Sequence, residues 1–233
     1  PPRLAETPAG LLNSIGLANP GVDAFVAGLP QLVALGRPLV VSIGGFAVAD
    51  YVRLARALDH APGVVALELN ISCPNVETGC SSIGADPRET DAVVAACRAV
   101  SALPLWVKLS PNVSDVTLIG RAAADAGADA LVCVNTLRGL AIEPWSGRPV
   151  LGAGSGGLSG PALKPVALAA VWSCASSCEL PIVGVGGVLT GRDARDLLDA
   201  GATAIQVGTG LFRDPRTARL VATELRELAR PAR

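Results

Sequence analysis

The chain has 233 residues, half of them apolar and only 3% aromatic, with a formal net charge of −1 and a pI near 5.9. That balance gives no electrostatic case for nucleic acid or for an acidic membrane surface. The apolar runs are broken well short of a membrane span, and residues 1–10 lack the basic and apolar regions of a secretory signal. The expectation is one cytoplasmic domain over residues 1–233, with a core of Ala, Val and Leu. The chain holds no Met and begins with Pro1, so processing or further sequence upstream is expected.

In chain order, residues 1–10 show no clear period. Residues 11–25 gather Asn13, Gly16, Asn19, Pro20 and Gly21, a density of polar and glycine residues that reads as a functional loop. Pro20 opens a helix to about residue 35. Residues 38–46 form an apolar strand ending in glycines, and a helix follows over 49–58. The strand over 64–72 runs into Asn70, Cys73, Pro74 and Asn75. Asp86 and Pro87 mark a helix start, as N-cap and first-turn residue, and that helix reaches about residue 101.

A strand over 103–111 carries Lys108, then a helix over 115–127 stops at Gly127. The strand 128–136 ends in Asn135 and Thr136. A long loop, 137–160, precedes a helix over 161–178. Strands over 180–191 and 202–210 both end in glycines, with helices over 193–200 and about 215–229. Six βα units at about 30–40 residue spacing, with polar residues at the strand C-termini, predict an α/β protein. A (β/α)8 TIM barrel lacking its first two β/α units fits best, with an open doubly wound sheet as the alternative.

Cys73 sits beside Asn70 and Asn75. It reads either as a small buried hydrophobe or as a thiol doing proton chemistry on a planar polar ligand held by the carboxamides. Lys108, in so apolar a strand, reads as the partner of an anion or polar ligand, or else as a snorkelling surface lysine. The six cysteines, at 73, 80, 97, 133, 174 and 178, form no CxxC pair, so no metal set is expected. His60, the one histidine, lies in a loop and supports neither a catalytic triad nor a His-ligated metal. Consecutive glycine turns at 184–187 and 207–210 suit close backbone approach to a phosphate. Loops after strands seven and eight are where such barrels usually seat one.

The segments NSIGLANPG, ELNISCPNV, WVKLSPNV, VNT, GGLSGPALKPVAL, PIVGVGG and QVGTG occur in one order across nearly the whole chain. Together they resemble dihydroorotate dehydrogenases, specifically the class 1B catalytic subunit. The resemblance implies an FMN enzyme that oxidises dihydroorotate to orotate in pyrimidine synthesis. It implies Cys73 as the base, and Asn13, Gly16, Leu17, Asn70, Asn75, Asn135 and Thr136 as substrate contacts. Lys108 would lie beside the flavin, with Gly160, Gly186, Gly187, Gly208 and Thr209 in the FMN loops. Ser42 departs from the family, standing where its members carry Asn. The resemblance also implies a homodimer and a partner subunit carrying FAD and an iron–sulfur cluster, with a fumarate-using class 1A enzyme as an alternative. Rival readings are a flavin enzyme for another dihydropyrimidine, a non-redox phosphate-binding barrel and a non-catalytic barrel fragment.

Overall fold

Six short apolar runs pair side by side to make the central sheet of the chain, seen here in a computed structural model that describes residues 1–72 and 83–228. They are β3 (Leu39–Ile43), β4 (Val64–Leu69), β5 (Leu105–Lys108), β6 (Ala130–Cys133), β9 (Ile182–Val185) and β10 (Ala204–Gln206). All the pairings are parallel, and the strand order across the sheet equals the order along the chain. A doubly wound sheet reverses its order at a switch point. This one does not, so with right-handed crossovers its helices fall on one face.

The sheet is curled. Gln206 Nε2 on β10 lies 2.7 Å from Glu68 Oε2 on β4, although three strands stand between them. In a flat sheet four spacings amount to about 19 Å, farther than two such side chains reach. Glu68, Lys108 and Gln206 therefore share the concave face. Ala66, Ala130, Val132 and Val183 alternate onto the same side and are buried. The convex residues Val41, Leu67, Leu69, Val107, Leu131 and Ile182 join the main apolar cluster with the helices. At about 1.5–3 kcal/mol for each large side chain, this convex layer is the main source of stability.

The helices are α1 (Val22–Val33), α2 (Val48–Leu58), α3 (Pro87–Arg98), α4 (Val116–Asp125), α5 (Lys164–Ser177), α6 (Gly191–Asp199), α7 (Gly210–Arg213) and α8 (Thr217–Leu228). Asp86 caps α3 by accepting from the Arg88 N–H at 2.8 Å, as its sequence predicts. Asp115 caps α4 in the same way through Thr117 N–H. The first helix starts two residues later than Pro20 suggests. The Asn19 side chain accepts from Gly21 N–H, and Gly21 sits at φ +90°, so the chain turns there before it coils. No described helix is long and apolar enough to cross a membrane.

A second sheet arises where the sequence offers only loop. Strands β1 (Leu4–Thr7), β2 (Gly10–Asn13), β8 (Gly156–Ser159) and β7 (Leu137–Gly139) pair antiparallel in that order. Glycine is needed here for close packing. A Cβ on Gly10 would stand 2.2 Å from the Ser159 carbonyl oxygen, and one on Gly157 would stand 2.0 Å from Thr136 Oγ1.

Candidate functional site

The polar ends of the parallel strands converge. Asn70 follows β4 directly, and Asn135 lies two residues past β6. Asn135 Nδ2 donates to Asn70 Oδ1 at 3.1 Å and to Ser72 Oγ at 3.0 Å. Its own Oδ1 accepts from Thr136 N–H at 2.8 Å. The fully buried Tyr51 of α2 donates its hydroxyl to the Asn70 carbonyl at 2.9 Å, fixing the backbone beneath the carboxamide. Asn13, at the end of β2, reaches Gly157 O at 3.2 Å. Gly16 turns at φ +68°, and Leu17 packs over Gly44, whose added Cβ would stand 3.7 Å from Asn70 O. The loop at 13–17 thus meets the ends of β3 and β4.

A cleft of about 130 Å³ continues from these carboxamides. Lys108, Asn135, Thr136, Gly160, Gly186, Gly187, Gly208 and Thr209 all line it. Thr209 donates to Ser159 Oγ at 2.8 Å, tying the end of β8 to the loop after β10. Gly186 and Gly187 take φ of +134° and +73°, and a Cβ on either would collide with Ala167 or Lys164 of α5. Gly208 has open space where a Cβ would go. Backbone N–H groups can therefore approach an anion closely.

Behind the glycine loops, Lys164 Nζ contacts Asp193 Oδ1 at 2.6 Å and Asp196 Oδ2 at 2.8 Å, locking α5 to α6. Burial works against the Asp193 carboxylate. Hydrogen bonds from Lys164 and Thr190 outweigh it and hold the pKa below its ordinary 3.8. Lys164 is likewise disfavoured by burial but raised above 10.5 by the two carboxylates. A depressed carboxylate stabilises the fold above pH 3.8 and loses that contribution as pH falls through its folded value. Asp193→Asn is thus expected to lower the unfolding free energy by about 1 kcal/mol at pH 7. In urea titrations the gap from the parent should shrink towards zero once the pH is well below 3.8.

On the concave floor, Lys108 Nζ lies 3.3 Å from Glu68 Oε1 and 3.4 Å from Gln206 Oε1. Glu68 is only 5% exposed. Of the residues singled out in the sequence, Cys73 and Asn75 lie outside the described residues. The others named as substrate or cofactor contacts gather at one end of the sheet. Sequence reasoning missed Ser72, Ser159, Gln206 and Asn112. The last of these donates to Thr136 O at 2.9 Å and accepts from Arg138 N–H at 2.7 Å. Gln206 did leave a signal, as a carboxamide inside a three-residue strand. Ser42 is exposed on β3, in register with Glu68. Among the described residues no group of three His, Cys, Asp or Glu side chains could hold a metal, Cys174 and Cys178 included.

The donor set suits a flavin: a lysine on the floor, carboxamides at one end and glycine turns at the other. Thr136 Oγ1 itself is buried against Gly157 of β8, without a hydrogen-bond partner. The dihydroorotate dehydrogenase family model matches residues 1–229. The catalytic subunit of dihydroorotate dehydrogenase B (NAD(+)) from Desulforudis audaxviator is 50% identical over 228 residues, 97% of this chain and 74% of that protein. The subunit of the same name from Citrifermentans bemidjiense is 49% identical over 227 residues, with the same coverage of both chains. In fold, the chain resembles the Eimeria tenella DHODH solved with ferulenol, at a TM-score of 0.77, 23% identity and 98% of this chain against 72% of that one. On the match along almost its whole length, the chain belongs to the dihydroorotate dehydrogenase family.

Proposed function

We propose that the chain oxidises dihydroorotate to orotate in pyrimidine synthesis, using FMN as its flavin. The observation that carries this is the single cleft in which Lys108, the glycine turns and the Asn135–Thr136 pair meet. Bound there, the flavin supplies an acceptor for the hydride that leaves C6 of the substrate. Gly160, Gly186, Gly187, Gly208 and Thr209 hold it, the last four towards its phosphate. Lys108, lining the same cleft, would favour negative charge on a flavin bound there.

Asn13, Gly16, Leu17, Asn70, Asn75, Asn135 and Thr136 hold the pyrimidine and its carboxylate. Carboxamides suit that ring because each both donates and accepts. Cys73, three residues past Asn70, removes the proton from C5 as thiolate. Cys73→Ala is expected to slow flavin reduction by about 100- to 10,000-fold. Its flavin spectrum should stay intact, as stopped-flow absorbance would record.

The whole chain acts as one flavin-binding unit, comprising units three to eight of an eight-stranded barrel. The exposed concave residues Val40 on β3 and Ala204 on β10 support this reading, because both edge strands leave their inner faces uncovered. The relatives named catalytic subunits support a partner subunit, which would carry FAD and an iron–sulfur cluster. We place the enzyme in the cytoplasm as a homodimer. The test is an anaerobic absorbance spectrum: a flavin band that bleaches on adding dihydroorotate supports both cofactor and reaction, and a bound flavin that stays oxidised overturns the choice of substrate.

A further inference from the structure

We infer that Glu68, anchored by Gln206, offsets the charge of the Lys108 ammonium and so sets how strongly the bound flavin holds electrons. The inference rests on the reading that a flavin lies against Lys108. A carboxylate as buried as Glu68 is costly unless paired and hydrogen-bonded. Nothing in the packing asks for one, since the nearby buried concave positions, Ala66, Ala130, Val132 and Val183, are apolar. Its neighbours explain it. Lys108, Glu68 and Gln206 close a ring in which every member touches the other two.

The distances within the ring differ in kind. Gln206 to Glu68, at 2.7 Å, is a short charge-assisted bond and forms a fixed base. Lys108 sits above it at 3.3 and 3.4 Å, shared between two acceptors and bound tightly to neither. An ammonium has three donors, and this ring uses two of them. Lys108 also lines the cleft, so its charge is presented to the ligand there. The ammonium seen from the cleft is therefore a partly neutralised one. A bare cation would favour the reduced, anionic flavin more strongly. The flavin would then take electrons readily and give them up poorly, although each turnover requires both. Glu68 touches neither substrate nor cofactor in this scheme and is a positioning residue.

The probe is sulfite, an anion that adds to oxidised flavin and binds more tightly where positive charge surrounds the far end of the ring. The flavin-loaded holoenzyme is titrated alongside Glu68→Gln, Glu68→Asp and Lys108→Met. Gln keeps the shape and the acceptor but removes the charge. Glu68→Gln is expected to bind sulfite about tenfold more tightly, because an uncompensated charge acts in a partly dry site. The same tenfold corresponds to a midpoint potential about 30 mV higher for the two-electron couple.

Glu68→Asp restores the charge with a shorter reach and should return to within about threefold of the parent, while Lys108→Met should weaken sulfite binding. A purely architectural Glu68 gives the reverse order, since Asp leaves a gap that Gln fills. Asp departing further than Gln, or Gln leaving sulfite binding unchanged or weaker, overturns the inference. So does loss of flavin from both Glu68 variants. A parent protein that takes up no flavin, or whose flavin dihydroorotate does not bleach, instead overturns the functional reading on which the inference rests.

Discussion

Replacing Lys108 with Met is expected to slow flavin reduction by dihydroorotate on the order of 100-fold, the usual loss when one preorganised charge is removed from a reacting centre. The ammonium sits on the concave floor, its side chain 20% exposed, and lines the same cleft as Asn135 and Thr136. Lys108 would stabilise the negative charge that a bound flavin gains on accepting a hydride, and no other cationic side chain among the described residues lines that cleft. The substitution also leaves Glu68 with Gln206 as its remaining partner. A half-satisfied buried carboxylate should lower stability by roughly 2 kcal/mol. The two effects separate experimentally: stopped-flow reduction of the bound flavin reads the first, and urea unfolding of the apoprotein reads the second. A reduction rate within a few-fold of the parent would remove Lys108 from the chemistry.

The second large effect is expected at Gly187. Its φ of +73° disfavours any side chain, and an added Cβ would stand 2.6 Å from Lys164 Cβ and 3.0 Å from Lys164 N. Lys164 has little room to retreat, because Asp193 and Asp196 clamp its ammonium. The conformational penalty and the collision together should cost about 3 kcal/mol for Gly187→Ala. For a domain of this size that is a fall of about 6–12 °C in Tm. The loop must shift to accept the methyl group, so flavin affinity should drop at least about tenfold. Gly208→Ala is the matching control. Nothing lies within 4 Å of its added Cβ, so its Tm should hold even if the flavin binds less well. A Gly187→Ala protein with parental Tm and flavin affinity would show that the glycine turn is not constrained.

The parts of the fold that the sequence reveals are those stabilised within their own segments. The runs around Val41, Leu67, Val107, Leu131 and Ile182 are apolar because each packs against the helices beside it. Asp86 and Asp115 announce their helices because capping is a local bond. Strands β1, β2, β7 and β8 went unread for the opposite reason. Each is only three or four residues long, all but β1 contain glycine, and β2 is held by a partner nearly 150 residues away. Short glycine segments carry no period, and only the pairing makes them strands.

The candidate site divides along the same line. Asn70, Asn135 and Thr136 stand at strand ends, where their position can be inferred from alternation and length. The bond between Gln206 and Glu68 depends on how far the sheet curls, a property of six strands together that no single motif states. Ser72 and Asn112 enter through contacts with residues distant in sequence, Asn135 for the first and Thr136 and Arg138 for the second.

The antiparallel sheet has a consequence for the order in which the protein assembles. Asn13 and Gly157, 144 residues apart, are joined by a hydrogen bond between β2 and β8. Contacts of that separation bear the loop-closure entropy of more than half the chain and form late. The parallel units can build up from neighbour to neighbour, each burying its own convex side chains as it joins. The Asn13 side of the site exists only once the first and middle parts of the chain have found each other. Ligand capture is thereby coupled to completion of the fold, and partly folded chains that already carry most of their helices would still lack a finished pocket.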